Sequence, residues 1–168
     1  MAEKTTVTIP RPLQKRIAKL ATSEGKTQPE LIADLVRMRE DQTERYLAAL
    51  RDPSVHVLAH PQARMYGRRA GLRADWARVF AEAADRGKAV ELDATPARQD
   101  LSVELARIAM AEGVRWFSIG SDAHSAFELR FLPFGMATAV LAGIPRERIL
   151  NYRTFDEVIE WGRELRAA

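Results

Sequence analysis

The chain has 168 residues, of which 46% are hydrophobic and 29% are charged, as is typical of a soluble globular protein with one domain and a small additional module. No stretch approaches the roughly 18 apolar residues that a membrane span needs, and the N-terminal segment lacks the basic-then-apolar pattern of a secretory signal. Because the chain contains no cysteine, disulfide and thiolate chemistry are excluded, and His, Asp and Glu are left as metal ligands. We therefore expect a cytoplasmic protein with no membrane partner.

Charge is distributed unevenly along the chain. Residues 1–40 contain eight Lys/Arg and five Asp/Glu, whereas residues 41–168 contain 18 of each class. The whole excess positive charge of +3 therefore lies in the first 40 residues. This asymmetry indicates a short basic module, residues 1–41, that precedes a neutral body, residues 42–168.

The basic module reads as a strand followed by two helices. Residues 4–10 (KTTVTIP) alternate β-branched residues and end at a proline, which predicts a short strand. Apolar residues at helical spacing predict a first helix over residues 11–23, and Gly25 follows its end. Thr27 with Glu30 has the pattern of a capping box at the start of a second helix. A unit this small cannot bury a hydrophobic core by itself, and a lone strand has no partner. Pairing of two chains would supply both the buried surface and the partner strand.

The pattern of residues 4–40 resembles the ribbon-helix-helix family of dimeric DNA-binding proteins. The resemblance implies a homodimer whose paired strands enter the major groove of DNA. Lys4, Thr6 and Thr8 would face the groove, and Thr27 with Gln28 would meet phosphate at the amino end of the second helix. The alternative is a dimerisation module that does not contact DNA.

The body alternates strands with helices. Strands are predicted over residues 55–61, 88–93 and 114–122, with a short fourth strand within residues 144–151. The predicted helices cover residues 43–52, 74–86, 101–112, 129–141 and 154–165. Such alternation is typical of an α/β domain with a parallel sheet.

Polar residues follow the predicted strands. His60 ends the first strand, Glu91 and Asp93 end the second, and Ser121, Asp122 and His124 lie at the end of the third. Because ligands and active sites gather at the carboxyl ends of parallel strands, we expect these side chains to share one rim. The Asp-x-His spacing offers an oxygen and an imidazole ligand suited to zinc, manganese or iron.

The motifs HPQAR, GRR, ELDATPARQDL and GSDAH, in this order, resemble the polymerase and histidinol phosphatase (PHP) family. The likeness covers residues 42–168, and it is strongest to the PHP domains of family-X DNA polymerases. It implies a distorted (βα) barrel and divalent metal ions that activate water on a phosphate ester. His60, Asp122 and His124 match metal ligands. Arg64, Arg68 and Arg69 are candidates for phosphate contacts, with Arg64 and Arg69 as the catalytic pair. Glu91 matches a residue of the rim or one that supports the ligands.

The first half of the family pattern, which opens with a His-x-His motif, has no counterpart here. The chain has three histidines, and His56, four residues before His60, is interpreted as structural. We therefore expect a partial PHP-type barrel of three to four parallel strands, preceded by the strand-helix-helix module.

Two functions follow from this departure. One is a truncated phosphoesterase-like domain without the full three-metal site, fused to a dimeric DNA-binding module. The other is an active phosphoesterase, either a phosphatase or a nucleic-acid 3′-end exonuclease, that uses His60, Asp122 and His124. Whether the protein is an enzyme is left open at this point.

Overall fold

The computed structural model describes residues 8–167, with the side chains of residues 37–40 excepted. The chain divides into two compact units, residues 1–40 and residues 41–168. The predicted residues Lys4 and Thr6, and most of the predicted N-terminal strand, lie outside the described residues. Residues 8–10 belong to neither a helix nor a strand.

The first unit contains two α-helices in its described part, α1 (Arg11–Ser23) and α2 (Gln28–Glu40). The capping box predicted before α2 is present, because the Thr27 amide donates to Glu30 Oε2 at 2.8 Å and the Glu30 amide donates to Thr27 Oγ1 at 3.4 Å. Backbone and hydroxyl donors of Thr27 hold the pKa of Glu30 below its usual value. Ala21 and Leu31 are buried between the helices, while Leu13, Leu20, Leu35 and Val36 are exposed.

The second unit is an α/β structure, as predicted. Its elements, in order, are α3 (Thr43–Arg51), β1 (Val57–Leu58), α4 (Trp76–Asp85), β2 (Ala89–Asp93), α5 (Val103–Ala111), β3 (Trp116–Gly120), α6 (Leu132–Ala142) and α7 (Phe155–Ala167). Short 3₁₀ helices cover Ala126–Phe131, Arg146–Arg148 and Leu150–Tyr152.

The three strands form one parallel sheet in the order β1-β2-β3, and within the described residues this sheet is open. Ile149, in the region of the predicted fourth strand, makes a single parallel bridge to Phe117, and 3₁₀ turns occupy the residues on either side. Strand β1 is shorter than predicted, since Pro61 and the positive φ of His60 (30°) turn the chain away from the sheet. Closure into a barrel therefore stays a prediction.

The core lies between the sheet and the surrounding helices. Val90, Leu92 and Phe117 from the strands pack in one cluster with Phe80 of α4 and Ala106 of α5. Gly135 lets α6 approach the sheet closely, because a Cβ at this position would lie 2.6 Å from Ile119 Cγ2. Among the described helices, none is both long and apolar enough to cross a membrane.

Candidate functional site at the carboxyl ends of the strands

The three strands end at one rim, as the parallel arrangement predicts. Paired residues run from Ala89 and Trp116 to Asp93 and Gly120, so β2 and β3 end side by side. His60 follows β1, and Asp122 follows β3. Both have a left-handed backbone, with φ of 30° and 45°. Non-glycine residues adopt this conformation at an energetic cost, and such positions cluster at functional sites.

Glu91 connects the first two strands at this rim. Its Oε2 accepts a hydrogen bond from the backbone amide of His60 at 2.8 Å. Burial raises the pKa of the Glu91 carboxyl, although the bond from His60 acts in the opposite direction. Gly120 on β3 leaves room for this carboxylate, because a Cβ there would collide with Glu91 Oε1. Glu91 thus supports the loop that carries His60, which agrees with its predicted place on the rim.

Arg98 lies between two carboxylates of the rim. Its Nη2 is 3.2 Å from Asp122 Oδ2, and its Nε is 3.9 Å from Asp93 Oδ2. The Asp93 side chain is completely buried, with Oδ1 accepting from the Thr95 amide at 2.8 Å and no hydrogen-bond partner at Oδ2. The guanidinium is therefore the cation that compensates the carboxylates at the ends of β2 and β3.

His124 is engaged locally and is exposed. Its Nδ1 lies 2.7 Å from the backbone oxygen of Asp122, and its amide donates to Glu128 Oε2 at 2.5 Å. His60 lines a separate shallow pocket with Arg45 and Tyr46. The structure thus places the three predicted ligands at the same rim without grouping their side chains.

A metal centre needs at least three such side chains around one point. Within the described residues, no group of three or more His, Asp or Glu side chains is arranged to hold an ion. One of the three predicted ligands, Asp122, has its carboxylate paired with Arg98. The donor set in this conformation therefore does not fit a divalent metal ion, and whether His60, Asp122 and His124 bind one stays a prediction.

The predicted phosphate-binding arginines lie on the loop after His60. Arg64 donates through Nε to the carbonyl of Arg98 at 2.7 Å, and through Nη2 to the carbonyl of Gln99. Arg68 and Arg69 are exposed. Arg64 thus joins two loops of the rim, whereas the guanidinium groups of Arg68 and Arg69 are open to solvent.

Two further contacts secure this loop. Asp100, which is completely buried, accepts from the Gln62 amide at 3.1 Å, and burial raises the pKa of its carboxyl. The hydroxyl of Tyr46 donates to the carbonyl of Pro61. Burial also raises the pKa of Tyr46 to about 12. The loop is therefore tied to both α3 and the segment after β2.

Arg98 and Asp100 are two residues of the rim that were not predicted from the sequence. A signal was present, because both lie in the loop after β2, directly after the strand whose end was predicted to reach the site. His56, interpreted as structural, has Nε2 at 3.2 Å from the Gly162 oxygen and its ring edge-on to Trp161. Thr8, Thr27 and Gln28 are exposed in the first unit, and their role in DNA binding stays a prediction.

No protein-family profile matches the chain. A comparison with curated proteins finds a relative described as DNA polymerase/3′-5′ exonuclease PolX from Bacillus subtilis (strain 168), 34% identical over 114 residues. The matched region covers 68% of this chain and 20% of the relative, so the chain spans about one fifth of the length of that protein. The similarity supports a distant relationship to PolX, in agreement with the motifs that resemble domains of family-X polymerases.

Proposed function

We propose that the protein is a dimeric, DNA-associated relative of PolX whose PHP-like unit lacks the full multi-metal centre of the PHP family. The contact of Arg98 with Asp93 and Asp122 carries this proposal, because a fixed guanidinium supplies positive charge between the carboxylates at the ends of β2 and β3. In this reading, the second unit is a scaffold or a binding module, and residues 1–41 contact DNA.

Two observations support the role of the first unit. Its helices leave an apolar face exposed, lined by Leu13, Ile17, Leu20 and Leu35, which suits the interface between two copies of a small unit. Charge provides the second, since residues 1–40 hold the whole net positive charge of the chain. A ribbon that presents Lys4, Thr6 and Thr8 to the groove would gain phosphate contacts near Thr27 and Gln28.

DNA is the partner that the relative favours, because that protein is described as a DNA polymerase and a 3′-5′ exonuclease. The test is binding of the full chain to a mixture of duplex DNA sequences, measured as a function of salt. Affinity should fall steeply between about 50 and 200 mM salt, because each contacted phosphate releases counterions. Thr8→Ala should weaken binding, whereas the matched change Thr22→Ala, in an exposed threonine bonded to the Ala18 carbonyl within α1, should not. Binding that is independent of salt, or equal loss in both variants, would contradict the DNA-binding role.

A second function, a phosphoesterase that acts on a phosphate-ester ligand, is favoured by one observation. His60 and Asp122, two of the three predicted ligands, both have a left-handed backbone at the rim. In this reading, manganese, zinc or iron would bind His60, Asp122 and His124 once the pair between Asp122 and Arg98 had opened. Arg64 and Arg69 would hold the phosphate.

The phosphoesterase is tested with an aryl phosphodiester and with a 3′-labelled oligonucleotide, each in the presence of manganese or zinc. Turnover that is lost in His124→Ala and reduced in Arg69→Ala, while Arg163→Ala on α7 retains it, would establish this function. Absence of turnover, or turnover that survives His124→Ala, would rule it out for these residues.

A further inference from the structure

The loop between β1 and α4 concentrates positive charge. Residues 61–74 contain four arginines, Arg64, Arg68, Arg69 and Arg73, and no Asp or Glu. Since residues 41–168 hold equal numbers of basic and acidic residues, the remainder of this unit has a net charge of −4. The loop is therefore a basic patch on an otherwise acidic unit, next to the rim.

This loop has a defined conformation. The backbones of Met65 and Arg69 pair in both directions, with N–O distances of 2.9 and 2.8 Å, and Gly67 supplies the positive φ (71°) of the turn between them. The amide of Tyr66 donates to the Ala97 carbonyl at 2.8 Å. With the bonds from Arg64 to the next loop, these contacts fix the turn before any ligand binds.

An aromatic ring projects from the turn. Tyr66 is 55% exposed, and the guanidinium carbon of Arg64 lies 4.9 Å from its ring centroid. Arg68 and Arg69 follow it in the chain, are exposed, and form no ion pair with any residue that the structure describes. Proteins bind single-stranded nucleic acids with surfaces that combine an exposed aromatic ring and unpaired cations, because bases stack on the ring and phosphates contact the cations.

We propose that residues 61–74 form a binding surface for single-stranded nucleic acid, with Tyr66 stacking on an unpaired base and Arg68 and Arg69 contacting phosphates. A duplex would satisfy the arginines and leave the ring unused, because its bases are already stacked. This surface belongs to the second unit, and it does not depend on duplex binding by residues 1–41.

The experiment uses the full chain and fluorescein-labelled oligothymidylate and oligouridylate of about 12 nucleotides, a length within the range of known single-strand sites. Fluorescence anisotropy measures affinity between about 50 and 200 mM salt. Tyr66→Leu should weaken binding about 10-fold, and Tyr66→Phe should restore it, because the stacking face is retained. Arg68→Ala with Arg69→Ala should lower the slope of log affinity against log salt by roughly 1.4, because two phosphate contacts are lost. Comparison of the two oligomers distinguishes DNA from RNA.

The matched control is Arg163→Ala with Arg166→Ala, which removes two exposed arginines from α7 and should leave oligonucleotide binding as in the wild type. The proposal is overturned if the wild type does not bind either oligomer, if Tyr66→Leu binds like the wild type, or if a polyglutamate peptide competes as well as unlabelled oligonucleotide. If Thr8→Ala loses duplex binding and keeps single-strand binding, the result tests only the DNA-binding role of the first unit. The failures of the two proposals are therefore distinguishable.

Discussion

Arg98 Nη2 lies 3.2 Å from Asp122 Oδ2, so the loop after β2 is joined to the loop after β3 by an ion pair at the rim. The same guanidinium approaches the buried Asp93 carboxylate, with its Nε 3.9 Å from Oδ2. One side chain therefore offsets part of the negative charge at both strand ends, and the stability of the rim should depend on it.

Removal of this cation should destabilise the second unit. We expect Arg98→Ala to lower the free energy of unfolding by about 2 kcal/mol, because Asp93 remains buried without its counter-charge. Urea denaturation followed by tryptophan fluorescence measures the loss. Arg163→Ala removes a pair whose members are 73% and 65% exposed, and should cost no more than about 0.5 kcal/mol. Equal effects of the two substitutions would show that Arg98 is an ordinary surface residue.

Asp100 gives a prediction about pH. Burial raises the pKa of the Asp100 carboxyl above 3.8 in the folded chain. Between pH 3.8 and that raised pKa, the folded chain therefore binds a proton that the unfolded chain does not. Stability from this group therefore increases as pH falls through the range. Asp100→Asn removes the titrating group. The free energy of unfolding of the wild type should therefore rise relative to that of the variant as pH falls from 7 toward 4. Urea denaturation at several pH values measures the difference, and a difference independent of pH would contradict the assignment.

Tyr46 gives a prediction of the same sign, but at alkaline pH. Its pKa is about 12 in the folded chain and about 10 when unfolded, so the unfolded state releases its proton first as pH rises. Stability is thus fully present below pH 10 and is lost between about 10 and 12.

Tyr46→Phe should remove this alkaline loss and cost about 1 kcal/mol at neutral pH, because the hydrogen bond to the Pro61 carbonyl is lost. Thermal unfolding at pH 7 and at about pH 11 tests both statements. Tyr66→Phe changes an exposed ring and should stay within about 0.5 kcal/mol of the wild type at pH 7. A Tyr46→Phe protein as alkali-sensitive as the wild type would disprove the assignment.

Two helical glycines should respond in opposite directions to alanine. A Cβ on Gly135 would lie 2.6 Å from Ile119 Cγ2 and 3.1 Å from Ala94 Cβ, so Gly135→Ala should destabilise by about 2 to 3 kcal/mol. A Cβ on Gly162 would meet only His56 Cδ2, at 4.0 Å, so Gly162→Ala should stabilise α7 by about 0.5 to 1 kcal/mol. Melting temperatures of the two variants test this packing of α6, and tolerance of Gly135→Ala would refute it.

Local sequence patterns predicted the helices well, because their ends depend on neighbouring residues. Thr27 with Glu30 forms the predicted capping box, and Thr154 caps α7 through a bond from the Glu157 amide at 3.3 Å. The predicted parallel sheet was also correct, and its arrangement brought His60, Asp93 and Asp122 to one rim.

The details of the rim depend on contacts between distant residues, which periodicity does not encode. Arg98 reaches Asp122 across a gap of 24 residues, and the direction of its side chain follows from the loop conformation after β2. The short β1 likewise reflects the turn at His60, which is held by Glu91 from another strand. For these reasons the strand-end residues His60, Asp93 and Asp122 were predictable, whereas their partner Arg98 was not.

The most direct test of the central claim is the divalent-metal content of the full chain, purified without chelator and measured by elemental analysis beside His60→Ala and Asp122→Ala. The ion pair between Arg98 and Asp122 predicts far less than one manganese, zinc or iron per chain in all three proteins. About one ion per chain in the wild type, lost in both variants, would contradict this account and establish the rim as a metal site.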